Sequence, residues 1–191
     1  MRRRQVLAAG VSAVAAVTGC LGWANDAGTT RTTYPDLSVE SDSPPDSASV
    51  TIDVAVVREF GPDHPARVRI DLTNDGESEF EALFGPVPPF TTLYGERIEG
   101  TDRLLLVPRD RPHMQQVIPA SPDNGTWRAT GDVAVNATAL LMDLDPDETV
   151  SRTYDLLAAA DNDELSAGEY RFEAEDYLGH GSWGFTVSVS Y

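Results

Sequence analysis

The residue types that do chemistry are few in this chain, and their spacing is wrong for most of the chemistry they could support. Cys20 is the single cysteine in 191 residues. An intrachain disulfide and a multi-thiolate zinc site are therefore excluded. A blue-copper centre is excluded as well, because it needs a thiolate beside two His and the only thiol lies near the N-terminus. His64, His113 and His180 are scattered without ligand spacing and read as loop residues. Asp143, Asp145 and Asp147 have the alternate spacing of a calcium loop. Glu148, however, stands where that loop needs Gly, and Tyr154 where it needs a bidentate Glu. The segment reads as a solvated acidic turn, as does Asp161-Asn162-Asp163-Glu164. His180-Gly181-Ser182-Trp183-Gly184 approaches a nucleophile elbow, but His replaces the first Gly and the segment lies between two strands, not between strand and helix. There is no phosphate loop, dinucleotide fingerprint or H-E-x-x-H motif. The expectation is no catalytic residue, no metal ligand set and no cofactor.

Charge narrows the partners. The chain carries 31 acids against 14 bases, for a net charge of −17, and all the bases are Arg. Nucleic acid is excluded as a partner, because phosphate binding needs a basic face. Three of the Arg open the chain, at positions 2, 3 and 4, and Val6 to Gly19 then run for 14 residues without a charge. That run is shorter than the ~18 residues a dedicated membrane span needs. A basic start, a short apolar run and small residues at its end read as an export signal. Arg3-Arg4-Gln5-Val6-Leu7 resembles the twin-arginine export motif. Val17-Thr18-Gly19-Cys20 resembles a lipobox, which implies cleavage before Cys20 and lipid on its sulfur. An uncleaved anchor is the other reading, since the uncharged stretch continues to Asn25. Both place the protein outside the cell, tethered to the outer face of the membrane.

The same charges point to a solvent. Removal of residues 1–19, which hold three Arg and no acid, leaves 11 Arg against 31 acids, a net −20. Repulsion of that size opposes a compact state unless salt screens it. At ~1 M salt the screening length falls to ~3 Å. Acid excess, Arg as the only base and the export signal together resemble a haloarchaeal surface lipoprotein.

Three regions follow from composition: an export signal at 1–19, a lipidated N-terminus with a disordered Thr-, Ser-, Asp- and Pro-rich linker at 20–48, and a domain at 49–191. Within the domain the apolar period is two. Val50, Ile52, Val54 and Val56 alternate with polar or small residues, as do Val68, Ile70 and Leu72. Asn74-Asp75-Gly76 marks a turn. Further strands are expected at 79–84, 90–94, 103–107, 126–130, 132–144, 149–157, 169–176 and 182–191, with a short helical turn in 155–164. The fold class is an all-β, antiparallel, immunoglobulin-like sandwich of about seven to nine strands. Leu165-Ser166-Ala167-Gly168-Glu169-Tyr170 resembles a tyrosine corner built on Tyr170. Residues 66–176, through Asp71-Leu72-Thr73-Asn74, Leu144-Asp145-Pro146-Asp147-Glu148-Thr149 and Leu165 to Tyr170, resemble the intracellular proteinase inhibitor (BsuPI-like) domain. That resemblance implies an immunoglobulin-like sandwich and carries over no inhibitory residue.

Two surface features remain. Asn124-Gly125-Thr126 and Asn136-Ala137-Thr138 are N-glycosylation acceptors, the first in a turn and the second in a strand-like stretch. Phe84-Gly85-Pro86-Val87-Pro88-Pro89-Phe90 is extended and preorganised by its three Pro. It reads first as a crossover that packs its Phe residues into the core, and second as an exposed apolar binding loop. The functional expectation is a non-catalytic binding or accessory module at the cell surface, held to the membrane by lipid on Cys20. Its partner would be a surface or secreted protein or a polysaccharide. Inhibition of an extracellular protease is the alternative, and an enzyme of unrecognised type the third reading.

Overall fold

A computed structural model describes residues 33–45, 48–135, 138–179 and 181–191. Among them the period-two segments become ten strands: β1 (Asp36–Ser41), β2 (Val50–Arg58), β3 (Ala66–Asn74), β4 (Phe80–Phe84), β5 (Tyr94–Arg97), β6 (Arg103–Pro108), β7 (Leu140–Leu144), β8 (Thr149–Ala158), β9 (Gly168–Ala174) and β10 (Trp183–Ser190). The pairings between strands are antiparallel. Eight strands form one sheet in the order β1-β10-β9-β5-β6-β8-β3-β2, and β4 pairs with β7 in a separate ribbon. The two ends of that order return beside each other, since β1 lies against β2. The sheet thus folds over a single core, as the expected antiparallel sandwich closed in the manner of a barrel.

The alternation decides which side chains are inside. Ile52 on β2, Val68, Ile70 and Leu72 on β3, Tyr170 and Phe172 on β9, and Trp183, Phe185, Val187 and Val189 on β10 all point into the core. Phe172 stacks on Phe185 with ring centroids 5.0 Å apart. Gly95 makes this possible, since a Cβ there would stand 2.4 Å from the Phe172 ring. The unbroken apolar runs Leu104–Val107 and Leu156–Ala159 are buried on both faces, as expected for strands covered on each side.

Several expectations are corrected. Residues 36–41 fall inside the expected linker, yet they pair along β10 from Asp36↔Ser190 to Ser41↔Phe185. Only Leu37 and Val39 turn toward the core. Two apolar residues give too short an alternation to recognise, and the open edge of β10 supplies what the sequence lacks. The strand expected at 90–94 forms instead at Tyr94–Arg97. That expected at 132–144 shortens to Leu140–Leu144. Residues 126–130 make only isolated bridges, because Trp127 and Ala129 are held individually by Ala158 and Gly61 rather than by a partner strand. The helical turn expected in 155–164 is β8 continuing to Ala158, followed by a turn in which the Asn162 N–H donates to the Ala159 carbonyl.

Two buried polar side chains hold the connections. The Tyr170 hydroxyl donates to the Ser166 carbonyl at 2.8 Å, the back-bond of a tyrosine corner. Burial, and then the Asp102 charge, push its pKa up to about 12, so the proton needed for that bond stays in place. Asn74, at the end of β3, is buried. Its Nδ2 donates to the carbonyls of Ser78 and Leu144, each at 2.9 Å, and its Oδ1 accepts from the Gly76 N–H at 2.9 Å. One amide therefore fastens the β3–β4 turn and the end of β7 to the main sheet. Asn74→Ala leaves those groups without partners in a dry site and is expected to cost ~2–4 kcal/mol. Urea unfolding in molar salt measures this; a cost below ~1 kcal/mol would show that water replaces the side chain.

Candidate functional site

The Pro-rich crossover between β4 and β5 was the sequence's best candidate for a binding loop. The structure gives it to the core. Phe84, Val87 and Phe90 are 4%, 1% and 1% exposed. The Pro88-Pro89 peptide bond is cis. Proline offers no N–H and the segment joins no sheet, so its carbonyls must find donors elsewhere. Each of four finds one on a side chain. Arg111 Nη2 donates to Pro86 at 3.0 Å, Tyr177 to Pro89 at 2.8 Å and Tyr154 to Phe90 at 2.8 Å, while Arg152 Nη1 donates to Pro88. Burial raises the pKa of both tyrosine hydroxyls well above the ordinary phenol value, so both remain donors. Half-buried Pro86 lies beside a shallow apolar depression of about 330 Å³, with Met114, His113 and Leu140 around it.

The other sequence candidates are dispersed. Asn124 is exposed and has φ 49°, followed by Gly125 at φ 83°, which makes a tight turn between Asp123 and Thr126. Asp143, Asp145 and Asp147 are exposed, and Glu148 closes the β7–β8 turn by accepting from the Asp145 N–H at 2.9 Å. Ser182 is exposed and Trp183 is buried. Arg3, Arg4, Cys20, Asn136 and His180 lie outside the described residues.

A cluster that sequence reasoning missed lies on the outer face of β2, β3 and β8. Strict alternation from Ile52 and Val54 would send residue 58 into the core. A bulge intervenes: the register steps from Val56↔Val68 to Arg58↔Arg67. The extra residue turns Arg58 outward, level with Arg67. Asp155 on β8 stands opposite Arg67 in the neighbouring register. Its carboxylate is 5% exposed and accepts from Arg67 Nε at 2.8 Å, with Arg58 Nη2 at 3.4 Å. Arg109, just past β6, brings its Nε to 3.9 Å from the other oxygen. Arg58 also donates through Nε and Nη2 to the Pro65 carbonyl, at 3.2 and 2.9 Å. Partial burial, and then the neighbouring Arg67, pull the Arg58 pKa down against the opposing pull of Asp155. Arg152, paired with Asp110 at 2.9 Å, closes one side of a polar depression of about 580 Å³. The one legible signal was Arg67-Val68-Arg69-Ile70, which puts two Arg on one face of β3; the bulge that adds Arg58 left no mark.

The placement of Phe90 has a measurable consequence. Phe90→Ala is expected to cost ~3–5 kcal/mol, the range for deleting a fully buried aromatic, read as a drop in melting midpoint. A midpoint close to that of the unsubstituted protein would mean the ring is not in the core. The 84–94 segment should also resist proteolysis in the folded protein.

Against known proteins, residues 1–176 match the family described as a domain of unknown function (DUF8130). No curated protein and no solved structure matches the chain. Because the family match covers most of its length, the chain belongs to the DUF8130 family.

Proposed function

We propose that this chain is an exported surface lipoprotein, cleaved before Cys20 and anchored by lipid on that sulfur, whose all-β domain serves as a non-catalytic binding module. The observation that carries the reading is an order of elements: the Arg3-Arg4 pair, the uncharged run Val6–Gly19, and Val17-Thr18-Gly19-Cys20 ending on the only thiol in the chain. The domain's first strand starts at Asp36, which leaves residues 21–35 between the anchor and the sheet. Asn124, exposed in its turn, meets the exposure that glycosylation requires.

The proposed setting is saline. Asp155 is the only buried acid among the described residues. The remaining carboxylates there face solvent at least in part, where salt can screen them. The inhibitor reading called for a protruding apolar loop, and the segment suited to that role packs Phe84, Val87 and Phe90 inside.

Two measurements test this. Intact mass of the protein recovered from membranes should show a chain starting at Cys20 with lipid added; an unmodified thiol at residue 20 ends the anchor reading. Cys20→Ser should leave the protein unprocessed or released, and Lys in place of both Arg3 and Arg4 should block export. Separately, the melting midpoint followed by circular dichroism should rise from ~0.1 M salt to molar salt as the screening length shrinks. A midpoint indifferent to salt would remove the saline setting and leave the anchor untouched.

A further inference from the structure

We infer that the outward cluster of Arg58, Arg67 and Arg109 is a binding site for a tetrahedral oxyanion, a phosphate or sulfate ester carried on a larger molecule. Charge at the cluster favours an anion. Three guanidinium groups share one carboxylate, that of Asp155. Arg152, the fourth Arg beside the depression, is balanced by Asp110. Two positive charges are therefore left over at one place on a chain whose net charge is −17. Four of the ten Arg among the described residues converge there. Neutralising Asp155 does not require this, because Arg67 alone meets it at 2.8 Å.

Unused donors at the cluster favour it as well. Arg58 is held through Nε and Nη2, and Arg67 through Nε. That fixes both planes and leaves Arg58 Nη1 and both terminal nitrogens of Arg67 without a partner among the described residues. The Arg109 side chain, 40% exposed, makes no hydrogen bond to another described residue. Guanidinium forks suit oxyanions because two parallel N–H groups meet two oxygens. Asp155 already occupies the inner side of the cluster as an oxyanion ligand, and the unpaired nitrogens are the donors left for a second one. Two surplus charges match a phosphate monoester dianion and exceed the single charge of a sulfate ester, and the depression of about 580 Å³ has room for the molecule that bears it. Molar chloride screens simple attraction but cannot reproduce bidentate contact, so such a site stays selective in salt.

The test is calorimetric titration of the full chain in molar potassium chloride at constant ionic strength. The probes are inorganic phosphate, inorganic sulfate, sulfated dextran and polyglutamate. Saturable binding of phosphate or sulfate supports the site, and the tighter of the two identifies which ester is its source. Arg109→Gln loses no side-chain hydrogen bond to a described residue and should fold with an unchanged melting midpoint, yet weaken the anion at least ~10-fold. Asp155→Asn removes the competing carboxylate and should tighten it. If that variant does not fold, Arg109→Gln alone decides. The inference is overturned if neither inorganic ion saturates, if Arg109→Gln binds as the parent does, or if polyglutamate binds as tightly as sulfated dextran, since that would be attraction by charge alone. None of these outcomes depends on the lipid anchor.

Discussion

The Phe90 ring sits 5.5 Å from Trp183, 5.4 Å from Phe185 and 6.0 Å from Tyr177, centroid to centroid. It is the point at which the long crossover leaving the β4–β7 ribbon enters the main core. Tyr177 in turn stacks on Trp183 at 4.9 Å. Aromatic contacts of this kind add to the area they bury, and here they join segments far apart in the chain: the crossover, the turn after β9, and β10. With the ring in place, the carbonyls on either side must be buried too, and that requirement selects the residues around them. Tyr154, Tyr177, Arg111 and Arg152 each donate to the crossover. An apolar contact thus dictates a polar framework, because a buried carbonyl without a donor is costly.

That framework reaches the arginine cluster. Arg152 is committed to the Pro88 carbonyl and to Asp110. Tyr154 and Asp155 are neighbours on β8, one turned to the core and one to the cluster. Tyr154 holds Phe90 while Asp155 collects Arg58 and Arg67. The core and the basic outer face are therefore two sides of one strand. In a chain with no Lys, each of these cations is a guanidinium, whose planar fork donates to carbonyl and carboxylate partners together.

Elsewhere the electrostatics is of another kind. Ion pairs such as Arg69–Asp71, Arg103–Asp161 and Arg171–Asp42 lie at the surface, where an isolated pair contributes little. Their role is local order. Arg171 and Asp42, for instance, tie the end of β1 to β9 across β10. The surplus of acid faces solvent, so it acts through overall repulsion and ionic strength more than through particular bonds.

The amino-acid pattern by itself determined the all-β class and most of the long strands. Period-two apolar residues in β2, β3, β8, β9 and β10 leave one face to bury, and a face needs a second face opposite it. It also determined the turn at Asn74 and the position of Tyr170, since each rests on local chemistry within a few residues. What lay beyond it were the features set by partners distant in the chain. β1 exists because β10 has an open edge, and the Trp127 segment is irregular because its bonds go to Gly61 and Ala158. The candidate site belongs with these. Arg58 looks inward by alternation, and only the one-residue bulge against β3 turns it out to meet Arg67, Asp155 and Arg109. A bulge arises from the pairing of two strands, and pairing is a property of the folded chain.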